Sequence, residues 1–385
     1  MSVLKPKNLE IEYLRAVSIC LVLISHSFAI SAEAAEQILP LFKYLSFGVG
    51  VDLFFCISGY VVSRSYFSYF DHYRGVNLFW PAARAFWVRR AYRLLPAAWL
   101  WVAFGLVACL LFNRSGIFLD LDQNLKSAWS VMTFTANLAG ARGELAPNNI
   151  YWSLSLEEQF YFVFPLLLLI FKSLRGRALL LILLIAIQFP LMRSAFGDTV
   201  PRYLSYFRID SFAWGVLLYK ISCTDAYRRF EPNLLGRSKL LALLATLMLI
   251  FLMVAIPARF YTWPPSMGLM AMMAACLVWL ASYDRGYIFG ITGRSSILIW
   301  LGARSYAIYL IHWPMIKVVN EVSFRLVQEG FLVTPQVLLI CQVLGFMVLT
   351  AILAELNFRY VEQPLRIRGV AISRRMLGSP EAQMF

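Results

Sequence analysis

Ten apolar stretches recur along this chain, and each comes close to the ~20 residues that an α-helix needs to cross a hydrocarbon layer. They run roughly over 10–30, 46–66, 94–112, 153–171, 178–193, 203–220, 240–257, 264–282, 296–317 and 333–356. A helix satisfies its backbone hydrogen bonds within itself, so such a sequence predicts an all-α, polytopic membrane bundle. Composition agrees: 60% of the 385 residues are apolar, only 15% are charged, and the mean hydropathy is +0.68. A soluble domain carries about 25% charged residues and has no surface that could cover this much Leu, Phe and Trp. The same apolar share excludes a disordered chain.

Orientation follows from Lys and Arg. With the N-terminus placed in the cytoplasm, 23 of them, beginning with Lys5 and Lys7, fall in inside segments and nine in outside segments. That asymmetry obeys the positive-inside rule and puts both termini in the cytoplasm. The net charge of +14 is then a matter of topology, and no nucleic-acid partner is expected. Residues 1–35 also carry signal-peptide features, with Lys5 and Lys7, an apolar stretch, and small residues at Ser31, Ala32 and Ala34. Glu10, Glu12 and Arg15 make a poor lead-in, so the first stretch is read as a retained span. Cleavage would leave the later spans facing the same way. The longest segment between stretches, 113–152, falls outside and has room for a short interfacial helix. The transmembrane domain is read as 1–368, followed by a short cytoplasmic tail, 369–385, with no appended soluble domain. Trp80, Phe86 and Trp87 read as interfacial anchors.

Cys20, Cys56, Cys109, Cys223, Cys276 and Cys341 lie far apart, without a C-x-x-C pair. They read as small buried hydrophobes. With only His26, His72 and His312 available, no metal site is expected.

Ionisable groups inside spans are costly, and they mark pathways or catalytic sites by default. Here His26, Asp52, the pair Glu157 and Glu158, the pair Arg208 and Asp210, and His312 all fall in the outer half of five different spans. Two readings fit: a convergent polar chamber, with Arg208 paired to a carboxylate, or a set of polar clamps holding helices together. Arg15 and His26 are eleven residues apart, which on a helix is three turns plus about 20°, so they share a face about 16 Å apart along the axis. That suits a long anionic ligand, and snorkelling is the alternative for Arg15. Arg90 and Arg93, three apart before Pro96, share a face as well. Their guanidinium forks suit phosphate oxygens, and a positive-inside anchor is the alternative.

Six motifs in order carry a resemblance. They are Arg15 with His26; the run from Gly48 to Gly59 (GVGVDLFFCISG); Arg90 and Arg93 with Pro96; Trp152 to Tyr161 (WSLSLEEQFY); Ser305 to Pro314 (SYAIYLIHWP); and Glu362 to Arg366 (EQPLR). Together they resemble the acyltransferase-3 family of integral membrane acyltransferases, from about residue 8 to 368. The resemblance implies a ten-helix domain in the cytoplasmic (inner) membrane. It implies transfer of an acyl group, usually acetyl, from cytoplasmic acyl-CoA as co-substrate to a carbohydrate hydroxyl at or beyond the membrane. Typical acceptors are lipopolysaccharide O-antigen, exopolysaccharide and related glycolipids, and some members modify small molecules such as macrolides. His26 matches the family's essential histidine, Arg15 its partner, Arg90 and Arg93 its basic pair, and Glu157 the better-kept of two glutamates. Some relatives add an esterase-like domain, which this sequence is expected to lack.

Residues and resemblance predict one route. Arg15, Arg90 and Arg93 hold the phosphates of acyl-CoA, and its arm runs up the Arg15–His26 face. His26 takes the proton of a sugar hydroxyl as it attacks the thioester. A variant has His26 as nucleophile, forming an acyl-imidazole. Glu157 orients His26 or the acceptor. His312, Ser305 and Tyr306 line the chamber or steady the oxyanion, with Asp52, Glu158, Arg208 and Asp210 around them. The partners are acyl-CoA, a carbohydrate or glycolipid and the bilayer, with a homo-oligomer open. A proton-coupled transporter or flippase using the same His and Glu layer is the alternative class.

Overall fold

The computed structural model describes residues 8–377 apart from 192, 194–201, 292, 332 and 333; Lys5 and Lys7 lie outside the described residues. Among the described residues there are helices and no strands. The first half comprises α1 (Leu9–His26), α2 (Ala32–Phe42), α3 (Gly50–Gly75), α4 (Phe79–Leu111), α5 (Leu121–Met132), α6 (Ala136–Arg142), α7 (Tyr151–Ile170) and α8 (Leu174–Gln188). There follow the short α9 (Arg202–Ser205), then α10 (Ile209–Ser222) and two brief turns, α11 (Asp225–Arg229) and α12 (Asn233–Arg237). The chain continues as α13 (Lys239–Arg259), α14 (Ser266–Ser282), α15 (Ser296–Ala303), α16 (Ser305–Gln328) and α17 (Pro335–Asn357). A π-turn over Phe358–Glu362 leads into α18 (Gln363–Leu377).

Local chemistry sets the ends that matter for the site. Asn8 caps α1 by accepting the Ile11 N–H at 2.9 Å, and it donates to the Ala281 carbonyl at 2.7 Å. The Glu10 carboxylate accepts the backbone N–H groups of Gly286, Tyr287 and Ile288. The start of α1 is thereby tied to the turn after α14, which fixes its depth and rotation. The outer segment 113–150 forms the amphipathic α5, opened by a capping box between Asp120 and Gln123, and the short α6. The buried Glu321 of α16 holds the start of this segment, accepting from the backbone N–H groups of Arg114 and Ser115 at 2.7 and 2.9 Å. Trp313 and Lys317 hold its end, both donating to the Pro147 carbonyl.

α3 and α10 pack closest. A Cβ on Gly215 would fall on the Cys56 carbonyl, and one on Gly59 on the Phe212 carbonyl, so these two glycines let the backbones touch. Three apolar clusters fill the bundle. One surrounds α1, α4, α7, α16 and α17; one lies between α1, α3, α13 and α14; one lies between α3, α4, α7 and α10.

Each apolar stretch is mainly helical among its described residues, with informative differences. Among the described residues, six helical stretches are long and apolar enough to cross a membrane by length and composition, and α14 is a shorter apolar helix. α8 and α10, with 15 and 14 residues, reach roughly 21–23 Å, short of the ~30 Å hydrocarbon core. The stretch expected as one span over 296–317 is broken at Arg304, whose Nε and Nη2 donate to Glu355 at 2.5 and 3.1 Å. α4 is one continuous helix of 33 residues, about 50 Å long, so Arg90 and Arg93 ride on the span itself. Phe86, expected at the interface, is buried among Tyr66, Phe70 and Phe164. The segment read as a tail is helical to Leu377 and rests on α4, with Gly369 against Tyr92 and Ser373 accepting from Arg89 at 2.5 Å. Of the cysteines expected to be buried, Cys223 and Cys341 are exposed.

Candidate active site

Arg15 and His26 lie on one face of α1, and that face borders two cavities. The inner one, about 80 Å³, is lined by Arg15 and by Arg93, Glu157, Ser58, Ser305 and Tyr306. The outer one, about 280 Å³, is lined by His26 with Trp152, Tyr206, Arg208, Asn149 and Gly140. Val51 and Tyr309 line both, so they form the wall between them. Tyr309 is fixed in that wall. Its hydroxyl donates to the Ile150 carbonyl at 2.7 Å and accepts from Ser153 Oγ at 2.6 Å.

The polar layer expected from depth resolves into three clusters. In the first, His26 at the end of α1 meets His312 of α16, with His26 Nδ1 3.1 Å from His312 Nε2. His312 is fully buried, and its Nδ1 lies 3.2 Å from the Ile308 carbonyl. The Trp313 ring stands edge-on to His26 at 5.2 Å.

The second cluster is a pair of buried ion pairs beside the outer cavity. Arg208 Nη1 donates to Asp52 Oδ2 at 2.6 Å, and its guanidinium lies 5.1 Å from the Trp152 ring centre. Arg193 binds Asp210 with both terminal nitrogens, at 2.8 and 2.6 Å. Among the described residues each of these two cations is matched by a carboxylate, so this wall is close to neutral there, and both forks are held in one geometry.

The third cluster belongs to the inner cavity. Glu157 accepts from Ser58 Oγ at 2.7 Å and from the Tyr161 hydroxyl. The Tyr161 ring in turn caps the Arg90 guanidinium at 4.7 Å, with Tyr66 and Phe86 completing an aromatic box. Glu158 Oε1 is buried, with no hydrogen-bond partner among the described residues.

Several expected relationships change. Glu157 is bonded to Ser58 and Tyr161 rather than to His26, and the side chain that meets the His26 ring is His312. Arg93 and Arg15 reach the inner cavity together, whereas Arg90 turns into its box and does not line it. Tyr306 donates to the Leu94 carbonyl at 2.7 Å, and both His312 nitrogens are engaged, so Ser305 is the member of the expected oxyanion group that faces the cavity without such a tie. Sequence reasoning missed Arg193, counted as a loop charge at the end of a stretch. It also missed Tyr309 and Trp152 as lining residues, although both stand inside motifs already singled out.

Curated relatives carry related names. The chain is 28% identical over 355 residues to "Putative peptidoglycan O-acetyltransferase YrhL" of Bacillus subtilis (strain 168), covering 85% of this chain and 52% of that protein. It is 26% identical over 345 residues to peptidoglycan O-acetyltransferase OatA of Listeria monocytogenes (83% and 51%). It is 26% identical over 351 residues to O-acetyltransferase OatA of Staphylococcus aureus strain NCTC 8325 (85% and 54%). The chain thus spans about half the length of the curated relatives it matches. No solved structure matches. The acyltransferase-domain model of the acyltransferase-3 family matches residues 8–356, nearly the whole bundle that builds both cavities, and the chain belongs to that family.

Proposed function

We propose that this chain is a membrane O-acyltransferase that moves an acetyl group from acyl-CoA, held at the cytoplasmic side of the inner membrane, to a hydroxyl of a cell-surface glycan. One observation carries the reading. A single helix face presents a cation to the inner cavity and an imidazole to the outer one, with a thin wall of Val51 and Tyr309 between them. The names of the relatives point to peptidoglycan as the first acceptor to test, ahead of lipopolysaccharide or exopolysaccharide.

In this reading Arg15 and Arg93 bind the phosphates of the donor, and Arg90 adds positive charge behind them. The slender pantetheine arm lies along the apolar lining and brings its thioester to the wall at Tyr309. A sugar hydroxyl enters the outer cavity. Its oxygen attacks the thioester carbon as His26 takes the hydroxyl proton. The new C–O bond forms, the C–S bond breaks, and the proton passes on to the departing CoA thiolate. The neutral wall around Arg208 and Arg193 suits an uncharged acceptor.

The test is acetyl transfer from labelled acetyl-CoA to glycan fragments by the purified protein in liposomes. His26→Ala is expected to lower the rate at least ~100-fold, the scale of a lost general base, while the protein still inserts. Wild-type rates in that variant would overturn the assignment. Label remaining on the wild-type protein without acceptor, and absent from His26→Ala, would replace direct transfer by an acyl-imidazole step.

A further inference from the structure

We infer that His312 is a positioning residue that fixes the tautomer of His26, so that the nitrogen presented to the outer cavity as base is Nε2. The inference rests on the acyl-transfer reading for its catalytic consequence and on geometry alone for the tautomer.

The deduction starts at the buried end. His312 Nδ1 lies 3.2 Å from the Ile308 carbonyl, one turn back on α16. A carbonyl oxygen only accepts, so that nitrogen carries the hydrogen. A neutral imidazole has one N–H, which leaves a lone pair on His312 Nε2. That lone pair lies 3.1 Å from His26 Nδ1. Two lone pairs facing each other at this distance would repel, so His26 Nδ1 must carry its ring hydrogen. Neutral His26 then has one bare nitrogen, Nε2, and His26 borders the outer cavity. Trp313 edge-on to His26 and Tyr309 5.7 Å from His312 confine both rings.

The consequence is chemical. An orienting partner for a catalytic imidazole must accept at one nitrogen so that the other can take a proton. A carboxylate commonly fills this place; here a second neutral imidazole does. When His26 takes the acceptor's proton at Nε2, its Nδ1–H becomes a stronger donor, and His312 Nε2 shares the developing charge. Selection of the correct tautomer comes without a fixed negative charge buried beside the acceptor.

The experiment uses the full chain labelled with 15N-histidine in a lipid bilayer. Three histidines give three ring pairs, assigned with His26→Ala and His72→Ala. The wild-type spectrum is expected to show His26 protonated at Nδ1 and bare at Nε2, with an N–H···N coupling to His312. A proton on His26 Nε2 in the resting protein overturns the inference, whatever the variants do. Two variants then test the catalytic consequence. His312→Gln sets an amide oxygen where the accepting nitrogen stands and should keep kcat within about tenfold of wild type, whereas His312→Leu removes the acceptor and should lower kcat about 100-fold at an unchanged KM for acetyl-CoA. Equal rates in the two variants, or a change confined to KM, overturn the positioning role. The spectrum needs no turnover, so a protein that transfers no acetyl group would sink the proposed function and still leave the tautomer decided.

Discussion

Arg208 and Asp52 meet at 2.6 Å with almost no exposure on either side chain. A pair buried this way adds little net stability over an apolar one, but neutralising one partner leaves the other's charge poorly matched in a dry site. Asp52→Asn should therefore destabilise the bundle, read as a clear fall in the thermal midpoint in detergent. Glu157→Gln leaves an oxygen for Ser58 and Tyr161 to donate to, so its midpoint should stay near wild type. A stable Asp52→Asn would show that the carboxylate serves something other than Arg208. Arg93→Ala removes a charge-assisted contact to the donor in the proposed reading, so its apparent KM for acetyl-CoA should rise about 10- to 100-fold. An unchanged KM would move the phosphate site elsewhere. Part of this was legible in the sequence. Arg15 and His26 share a face because eleven residues is close to three turns, and any helix must obey that. The His26–His312 contact was not legible, because it joins residues 286 apart and depends on how α1 and α16 rotate against each other. Glu157 misled for the same reason: its depth was readable, but the direction of its side chain depends on the neighbouring α3 and α4.

At the level of elements, apolar runs found α1, α3, α4, α7, α8, α10 and α13 to α17, since helices facing lipid have no other way to bury their backbone, whereas α2, α5, α6, α11, α12 and α18 fall outside the runs. What the runs hid was length. α10 is only 14 residues, and it belongs to the bundle through its glycine contact with α3 rather than through its own apolar extent. Gly215→Ala pushes a Cβ into the Cys56 carbonyl, an overpacking defect that should cost about 1–3 kcal/mol. Gly105→Ala, with nothing within 4 Å of its Cβ, is the control and should change the midpoint little. Similar midpoints for the two would mean that α3 and α10 are not locked together. The polar end of the chain hid α18 in the same way: a helix resting on α4 through Gly369 and Ser373 carries no apolar run to announce it.

For the molecule as a whole, the positive charge expected to orient the chain and the sparse charge inside it divide the work. The many arginines are the basis of the expected topology, while Arg15 and Arg93 reach the inner cavity and His26 the outer one. Two cavities that share Val51 and Tyr309 as a wall suit the proposed reaction, in which donor and acceptor come from opposite sides. The central claim is therefore one of sidedness. Purified protein should be reconstituted in sealed liposomes, with acetyl-CoA on the side of the Arg15–Arg93 cavity and glycan acceptor on the side of His26. The account predicts acetylated acceptor on one side, free CoA on the other, and loss of both in His26→Ala. Acetylation that requires donor and acceptor in the same compartment would contradict it.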